Sequence, residues 1–584
     1  MYLSYLKLWN FRKFGSEQED FDLDKPNLHV EFNKGVNLLI GENDSGKSAI
    51  IDAIRLVLKT HSVEWIKITE DDFYNNSKRL RIELTFEDFT DEEAKHFVEW
   101  LGWDENKKPY LKVFLDVKRT EERILPYEVR AGIDDIGSSL SAEAREYLKV
   151  TYLKPLRDAE AELVPRKNSR LSQIFIGHEL FKDGDDHEIV KKVKLTNEEI
   201  KNYFKKEVKL IIDKFLKDFI DKKSTFEIAD PSLRKILESL HLKIDGEKNL
   251  GLGSHNVLFM ASELLHLERK NWEGLKLALI EEIEAHLHPQ IQLRIIESLQ
   301  EKNDIQLIMT THSPNIGSKI KLKNLFICHN GDVFPMGQGK TRLKKSDYKF
   351  LERFLDVTKA NMFFAKGVIL VEGWAEELIL PSLAKKIGIN LTEKGISIVN
   401  VGSAAFLRYC KIFQREDGKT MSIPVAVITD LDIKPDEYNS KKTEKDFNIN
   451  DEINRKKEKL EGQSVKVFVS PHWTLEYCLA LDKDLRGILY KAILDVLEEG
   501  KSEDYIRKIK KYFEELEEKL PSEKEKAFQL YYEIILGKNL SKAALAQYFA
   551  KHIENDNSLT MEKLTSIESI SYLIGAIKYV SGSE

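Results

Sequence analysis

The 584-residue sequence predicts an α/β protein of more than one domain. Three observations carry that prediction. Short apolar runs alternate with helical periodicity in two separate stretches. A glycine loop, Gly41-Glu42-Asn43-Asp44-Ser45-Gly46-Lys47-Ser48, stands between such a run and a helix. Farther on, Val368-Ile369-Leu370-Val371 ends in Glu372-Gly373, and Pro424 to Thr429 ends in Asp430-Leu431-Asp432.

Residues 1 to about 40 read as strands, with Tyr2 to Leu8 partly alternating and Val36 to Ile40 a short buried-type run. Ala49 to Lys59 reads as a helix with Ile50, Ile51, Ile54, Val57 and Leu58 on one side. Leu80 to Phe86 and Leu111 to Val117 alternate, which suits an antiparallel sheet with one solvated face. Residues 1–156 and 246–345 are expected to form one domain, split by a lysine-rich helical insertion at 157–245. In that insertion Thr196-Asn197-Glu198-Glu199 predicts a capped helix start. Ile200, Tyr203, Phe204, Val208, Ile211, Ile212, Phe215, Leu216, Phe219 and Ile220 then recur at three- and four-residue spacing. A stripe of this kind packs against other helices, so the insertion is expected to be a dimerisation arm. Gly331 to Asp347 is polar and basic, and a linker is expected there and over 346–366. A second α/β domain is expected over 367–584, with a helical insert at about 483–536. Within it Lys501 to Lys526 reads as a charged helix pair broken at Pro521.

Composition excludes several classes. Hydrophobic residues make up 42% and charged residues 32%, as in an ordinary soluble protein with a charged surface. No apolar run reaches the ~18 residues of a membrane helix, and the N-terminal residues do not read as a signal peptide. Cys328, Cys410 and Cys478 are far apart and form no CxxC pair, which disfavours a zinc site or disulfides and suits a reducing, cytoplasmic compartment. The net charge of −7 argues against whole-protein attraction to nucleic acid but leaves room for a local basic groove.

The loop at Gly41–Ser48 is a complete GxxxxGK[ST] match. Its backbone N–H groups would surround phosphates, with Asn43 and Gly46 in the loop and the helix N-terminus adding positive potential. Lys47 should reach the β- and γ-phosphates of ATP, and Ser48 should bind Mg²⁺. Leu277-Ala278-Leu279-Ile280-Glu281-Glu282 supplies the acidic strand such a site needs. Glu281 would hold Mg²⁺ through water, and Glu282 would activate the attacking water. After another apolar strand comes Thr310-Thr311-His312-Ser313-Pro314, in which His312 could donate to the γ-phosphate.

In the second half, Glu372 at a strand end and Glu376 in the first turn of the next helix face one point, with Pro381 expected to kink or restart that helix. Period two puts Asp430 and Asp432 on one side of an extended chain. Carboxylates converging in this way repel one another unless cations neutralise them, and hard oxygen ligands favour Mg²⁺ or Mn²⁺.

Four segments resemble the ABC-type ATPase of the overcoming-lysogenization-defect (OLD) family, related to the SMC/RecF group. They are Gly41–Ser48, Leu250-Gly251-Leu252-Gly253-Ser254-His255-Asn256, Ile280 to Gln290, and Thr311-His312-Ser313-Pro314. The resemblance implies that Ser254 lies in a signature contacting ATP across a head dimer. Ile283 stands where the family pattern usually has proline. The second half resembles a TOPRIM domain, shared by topoisomerases, DnaG-type primases and OLD nucleases. Pro471 to Tyr477 looks like the OLD segment whose glutamate, here Glu476, joins the second metal site. Lys542-Ala543-Ala544-Leu545-Ala546-Gln547 is similar to the OLD segment whose lysine assists near the scissile phosphate.

The fold implied is an ABC/SMC-like P-loop ATPase domain with an inserted arm, followed by a TOPRIM α/β domain with helical additions. The activity implied is two-metal DNA hydrolysis. Glu372, Glu376, Asp430, Asp432 and Glu476 would act around the ions, with Lys542 offsetting transition-state charge. The resemblance also implies ATP as cofactor, DNA as substrate, a homo-oligomer, anti-phage defence and, in one branch, a helicase-like partner. The rival reading is an SMC/RecF-like ATPase that binds DNA or a partner without cutting.

Overall fold

The computed structural model describes all residues except 17–20, 62–65, 156–161, 168, 177–178, 210–211, 214–223, 226–229, 247–250, 269–271, 303, 403–405, 436–447 and 584. The chain forms two compact units, Met1–Leu38 with Gly46–Thr311, and Leu39–Ser45 with His312–Glu584. The glycine loop therefore straddles the division.

In the first unit an antiparallel sheet runs in the order Leu28–Glu31, Tyr2–Trp9, Arg79–Glu87, Pro109–Lys118, Val129–Ala131, Ser138–Ser139. Leu80 pairs with Val117 and Phe86 with Leu111. The solvated face expected from alternation is absent from the middle of Arg79–Glu87, because Arg81 and Glu83 are buried. Arg81 donates to Glu83 at 3.1 Å and to Asp116 at 3.3 Å, and its guanidinium lies 3.9 Å from the Phe114 ring centre. Paired charges of this kind can be buried where isolated ones cannot. Leu277–Ile280 pairs in parallel with Thr151–Leu153 on one side and Gln306–Thr310 on the other. Leu277–Ile280 and Gln306–Thr310 are fully buried, and the acidic and threonine-rich turns leave from their C-terminal ends.

The arm differs from its sequence reading. One helix runs Glu188–Glu207 and is capped by His187, whose ring nitrogen accepts from the Ile189 N–H. Thr196 therefore caps nothing. It sits mid-helix and its hydroxyl donates to the Lys192 carbonyl four residues back, an alternative use of the same side chain. Leu195, Ile200, Tyr203 and Phe204 are exposed in the single chain. Ile211, Phe215, Leu216, Phe219 and Ile220 lie outside the described residues.

In the second unit a four-stranded parallel sheet runs in the order Ile396–Asn400, Gly367–Val371, Val425–Thr429, Val465–Val469. The segment 346–366, expected as a linker, carries helices Lys345–Phe354 and Val357–Ala360, which bury Tyr348, Leu351 and Ala360. Helix Trp374–Lys386 continues through Pro381 instead of restarting there. Residues 483–536 are helical, with Lys483–Glu498, Glu503–Lys519 and Glu523–Gln529 followed by a π-helical stretch Leu530–Leu536. Their apolar faces share a core with the sheet, including Ile369, Ile428, Ile493, Phe513 and Phe549. Buried Arg486 ties the helices together by donating to Glu517 at 2.7 Å and pairing with Glu523. No helix among the described residues is long and apolar enough to cross a membrane.

Candidate functional site

In the first unit Gly46, at φ +102°, precedes helix Lys47–Leu58, and a Cβ there would lie 2.5 Å from the Phe14 ring. Glycine is therefore required by both conformation and space. Lys47 is buried and Ser48 is exposed at the helix start. The Ser48 hydroxyl hydrogen-bonds the Glu281 carboxylate. Burial raises the Glu281 pKa, while Ser48 and Tyr152 act against that rise. Glu282 adopts φ +43°, and its N–H donates to Thr310 Oγ1 at 3.0 Å. A Cβ on Gly253 would sit 2.8 Å from the His286 carbonyl, and Asn256 Nδ2 donates to the Ala285 carbonyl at 3.1 Å. The segment bearing Ser254 is thus seated against the turn that follows Glu282. Asn43 and His312 are exposed residues of the second unit.

Sequence reasoning missed the support of Glu281. Tyr152 Oη donates to Glu281 Oε1 at 2.7 Å, and the Arg55 guanidinium lies 3.5 Å from the Tyr152 ring centre. Arg55 pairs with Asp52 at 2.6 Å, and Arg12 links Asp52 at 2.8 Å to Asp72 at 2.9 Å. Arg12, Asp72, Tyr152 and Glu281 are far apart in sequence, which leaves no local signal of their linkage.

In the second unit Glu372 follows strand Gly367–Val371 and accepts a hydrogen bond from the Thr429 hydroxyl. Glu376 lies in the first turn of Trp374–Lys386 and is buried. Glu476 lies in the first turn of Leu475–Leu481, which Thr474 caps, and is also buried. Lys542 opens helix Lys542–Asn555 and places Nζ 3.0 Å from Glu476 Oε2. Burial first, then repulsion by Glu476 and Glu372, raises the Glu376 pKa to about 7. Burial and repulsion by Glu376, Glu476 and Glu372 raise Asp430 well above the usual carboxylate range. Burial alone would depress Lys542, but the Glu476 carboxylate, Tyr531 and Asp430 outweigh it and its pKa is raised.

The two aspartates do not share a side. The strand ends at Thr429, and Asp432 adopts φ +64°, so period-two alternation does not reach it. Asp430 joins Glu376, Glu476 and Lys542. Asp432 is mostly exposed and accepts from Lys456 Nζ at 2.9 Å. Glu372 is coupled to both groups, with Asp432 raising its pKa and Lys456 lowering it, beneath a larger effect of burial. Lys456 comes from helix Ile449–Leu460 and stands in an ordinary basic run, so nothing in the sequence marks it.

Among the described residues no three His, Cys, Asp or Glu side chains are gathered closely enough to hold a cation as they stand. Lys542 and Lys456 supply the positive charge instead. The donors still fit a hard divalent ion chemically, being oxygens that are buried under mutual repulsion, and closing a shell requires the carboxylates to draw inward from these lysines.

Fold and site together define a phosphate-binding-loop ATPase followed by a TOPRIM domain. A profile described as overcoming lysogenization defect protein-like, TOPRIM domain, matches residues 363–432, and an AAA domain profile matches 36–318. In both halves the chain is similar to the OLD family of ATPase–TOPRIM proteins. It is 23% identical over 551 residues to Endonuclease GajA of Bacillus cereus (strain HuB5-5), covering 76% of this chain and 78% of that one. It is 25% identical over 309 residues to the OLD nuclease of Thermus scotoductus, covering 48% of this chain and 56% of that one. Among solved structures, the C-terminal region of the Xanthomonas campestris pv. campestris OLD protein aligns with a TM-score of 0.26 and 21% identity, covering 38% of this chain and 96% of that one.

Proposed function

We propose that this chain is an ATP-hydrolysing, Mg²⁺- or Mn²⁺-dependent DNA endonuclease of anti-phage defence. One observation carries the reading. Buried Glu376 and Glu476 and half-buried Asp430 repel one another beside Lys542, at the ends of parallel strands and the starts of helices. Such a cluster is costly without cations.

Glu372, Glu376, Asp430, Asp432 and Glu476 would hold the ions, and bound ions supply an acidified water and stabilise the leaving oxygen. Thr429 orients Glu372 through its hydroxyl. Lys542 exchanges its Glu476 contact for the phosphate as negative charge develops there. In the ATPase, Lys47 binds phosphate, Ser48 and Glu281 hold the nucleotide's Mg²⁺ and Glu282 orients water, while Asn43, His312 and Ser254 are candidate nucleotide contacts on the strength of the resemblance alone. The arm's exposed apolar face supports a homodimer or higher homo-oligomer. Buried free cysteines suit a reducing cytoplasm. The branch of the OLD family with a helicase-like partner, the Gabija type, is distinguished from a stand-alone OLD system by the neighbouring gene.

Supercoiled plasmid incubated with Mg²⁺ or Mn²⁺, with and without ATP, tests the reading. The wild type should nick it, whereas Glu372→Ala and Asp430→Ala should not, with ATP binding kept in both. Full nicking by the purified double variant overturns the assignment. The pairing of Lys542 and Lys456 with the carboxylates favours the rival, non-cutting reading, which wins if the wild type never nicks.

A further inference from the structure

A cavity of about 960 Å³ opens against the carboxylate cluster, within the range of small-molecule sites. Its wall is continuous with the cluster's backbone. Leu431, between Asp430 and Asp432, lines it, as do His472 and Trp473, just before Thr474 and Glu476. The Asp432 N–H donates to the Trp473 carbonyl at 3.0 Å, and the Leu431 N–H donates to Ser470 Oγ at 2.9 Å. The cavity therefore cannot shift far without moving the acidic residues.

One side of the wall is aromatic, and Leu431, Ile433, Pro435, Ile449, Leu520 and Pro521 make the rest apolar. The Trp473 and Phe528 rings stack with centres 6.4 Å apart at 27°, and Tyr531 meets Trp473 edge-on at 4.7 Å. Half-buried Phe528 stacks on exposed Tyr532 at 5.6 Å and 6°. Two lysines and one acid stand at this aromatic floor, with Lys434 Nζ 5.9 Å from the Trp473 ring centre and exposed Lys524 and Glu525 on the lining. Metal ions do not suit an aromatic floor, and an aliphatic side chain would not use the cations. A planar base attached to an anionic backbone uses both.

We propose that this cavity receives an unstacked nucleobase next to the phosphate held at the carboxylate cluster. The proposal rests on reading that cluster as a DNA-cutting site. Half-buried Phe528 provides the stacking face, backed by buried Trp473, and Lys524 and Lys434 contact flanking phosphates. A base in a duplex must leave its stack to enter, at a cost that unpaired nucleotides avoid. The enzyme should therefore favour single-stranded, gapped or bulged DNA over continuous duplex.

The test uses the full chain with Ca²⁺ and a short single-stranded oligonucleotide alternating thymine and 2-aminopurine. Saturable quenching of 2-aminopurine fluorescence is expected. Stacking of about 1–3 kcal/mol per base corresponds to about 5- to 150-fold, so an abasic oligonucleotide of equal length should bind at least about 5-fold more weakly. Phe528→Ala should abolish quenching, and the exposed Lys524→Glu should weaken binding. If Phe528→Ala fails to fold by circular dichroism, Phe528→Leu keeps apolar volume without a flat face and should lose quenching too. Equal binding of abasic and base-bearing strands overturns the proposal, as does full quenching by a folded Phe528 variant. Plasmid nicking is scored separately. Nicking without base-dependent binding overturns the pocket alone, and base-dependent binding without nicking overturns the cutting reading alone.

Discussion

Lys542 Nζ donates to Glu476 Oε2 at 3.0 Å, and the two side chains project from the first turns of separate helices. Glu476 is buried while Lys542 is half exposed. The lysine can therefore swing away toward an incoming phosphate, whereas the carboxylate stays in place. Lys542→Ala should slow cleavage about 10²-fold or more, the scale of losing one donor aimed at transition-state charge. ATP hydrolysis should be unchanged. Cleavage kinetics beside a phosphate-release assay check both halves, and an equal loss in the two activities contradicts the assigned role.

The buried acids make stability depend on pH and metal. Glu376 rises from an ordinary 4.5 to about 7 in the folded chain. Between those values the folded state holds a proton that the unfolded state has released. This contribution is full below pH 4.5 and is lost as pH rises through 7, up to about 3 kcal/mol. In EDTA the melting temperature should therefore fall across that window. Glu376→Gln should flatten the fall and raise the metal-free melting temperature at pH 8. Mn²⁺ should stabilise the wild type more than the variant. Parallel pH slopes for the two proteins in differential scanning fluorimetry would falsify this account.

Legibility in the sequence followed the range of the interaction. Both parallel-strand ends were readable because each couples a short apolar run to an acid, a signal local to a few residues. Helix Lys47–Leu58 was readable for the same reason, from its loop and its buried isoleucines. The relation of Asp430 to Asp432 was not, since a single left-handed residue after the strand cancels the alternation. Thr196 misled because a capping pattern is equally compatible with a helix interior when another residue, His187, caps upstream. The burial of Arg81 depends on partners drawn from other strands, and alternation alone assigns it to solvent.

The arm carries its own prediction. Leu195, Ile200, Tyr203 and Phe204 present apolar surface on helix Glu188–Glu207. An apolar row on an exposed helix is the surface that a second helix covers. Leu195→Asp with Tyr203→Asp should lower the mass measured by light scattering toward the 67.7 kDa of one chain. Both are exposed, so secondary structure by circular dichroism should be retained. An unchanged mass removes the arm from the interface.

Tyr152 offers the sharpest test of the nucleotide site. Its hydroxyl donates to Glu281, the acid also bonded by Ser48, and its ring is held by Arg55. Arg55 is in turn fixed by Asp52, and Asp52 by Arg12. Tyr152→Phe removes one hydrogen bond and keeps the ring, so the Arg55 contact survives. A hydrogen bond to a charged group contributes about 1.5–3 kcal/mol, equivalent to about 10- to 150-fold. If Tyr152 positions Glu281 for the nucleotide's Mg²⁺, the variant should lose kcat for ATP hydrolysis within that range. Binding of ATP without Mg²⁺ should be nearly unchanged, because Lys47 and the loop are untouched. Raised Mg²⁺ should partly restore the rate. Asp52→Asn, which weakens Arg55 from farther away, should show the same pattern in smaller measure. Loss of Mg²⁺-free ATP binding in Tyr152→Phe would instead mean that the ring supports the loop itself.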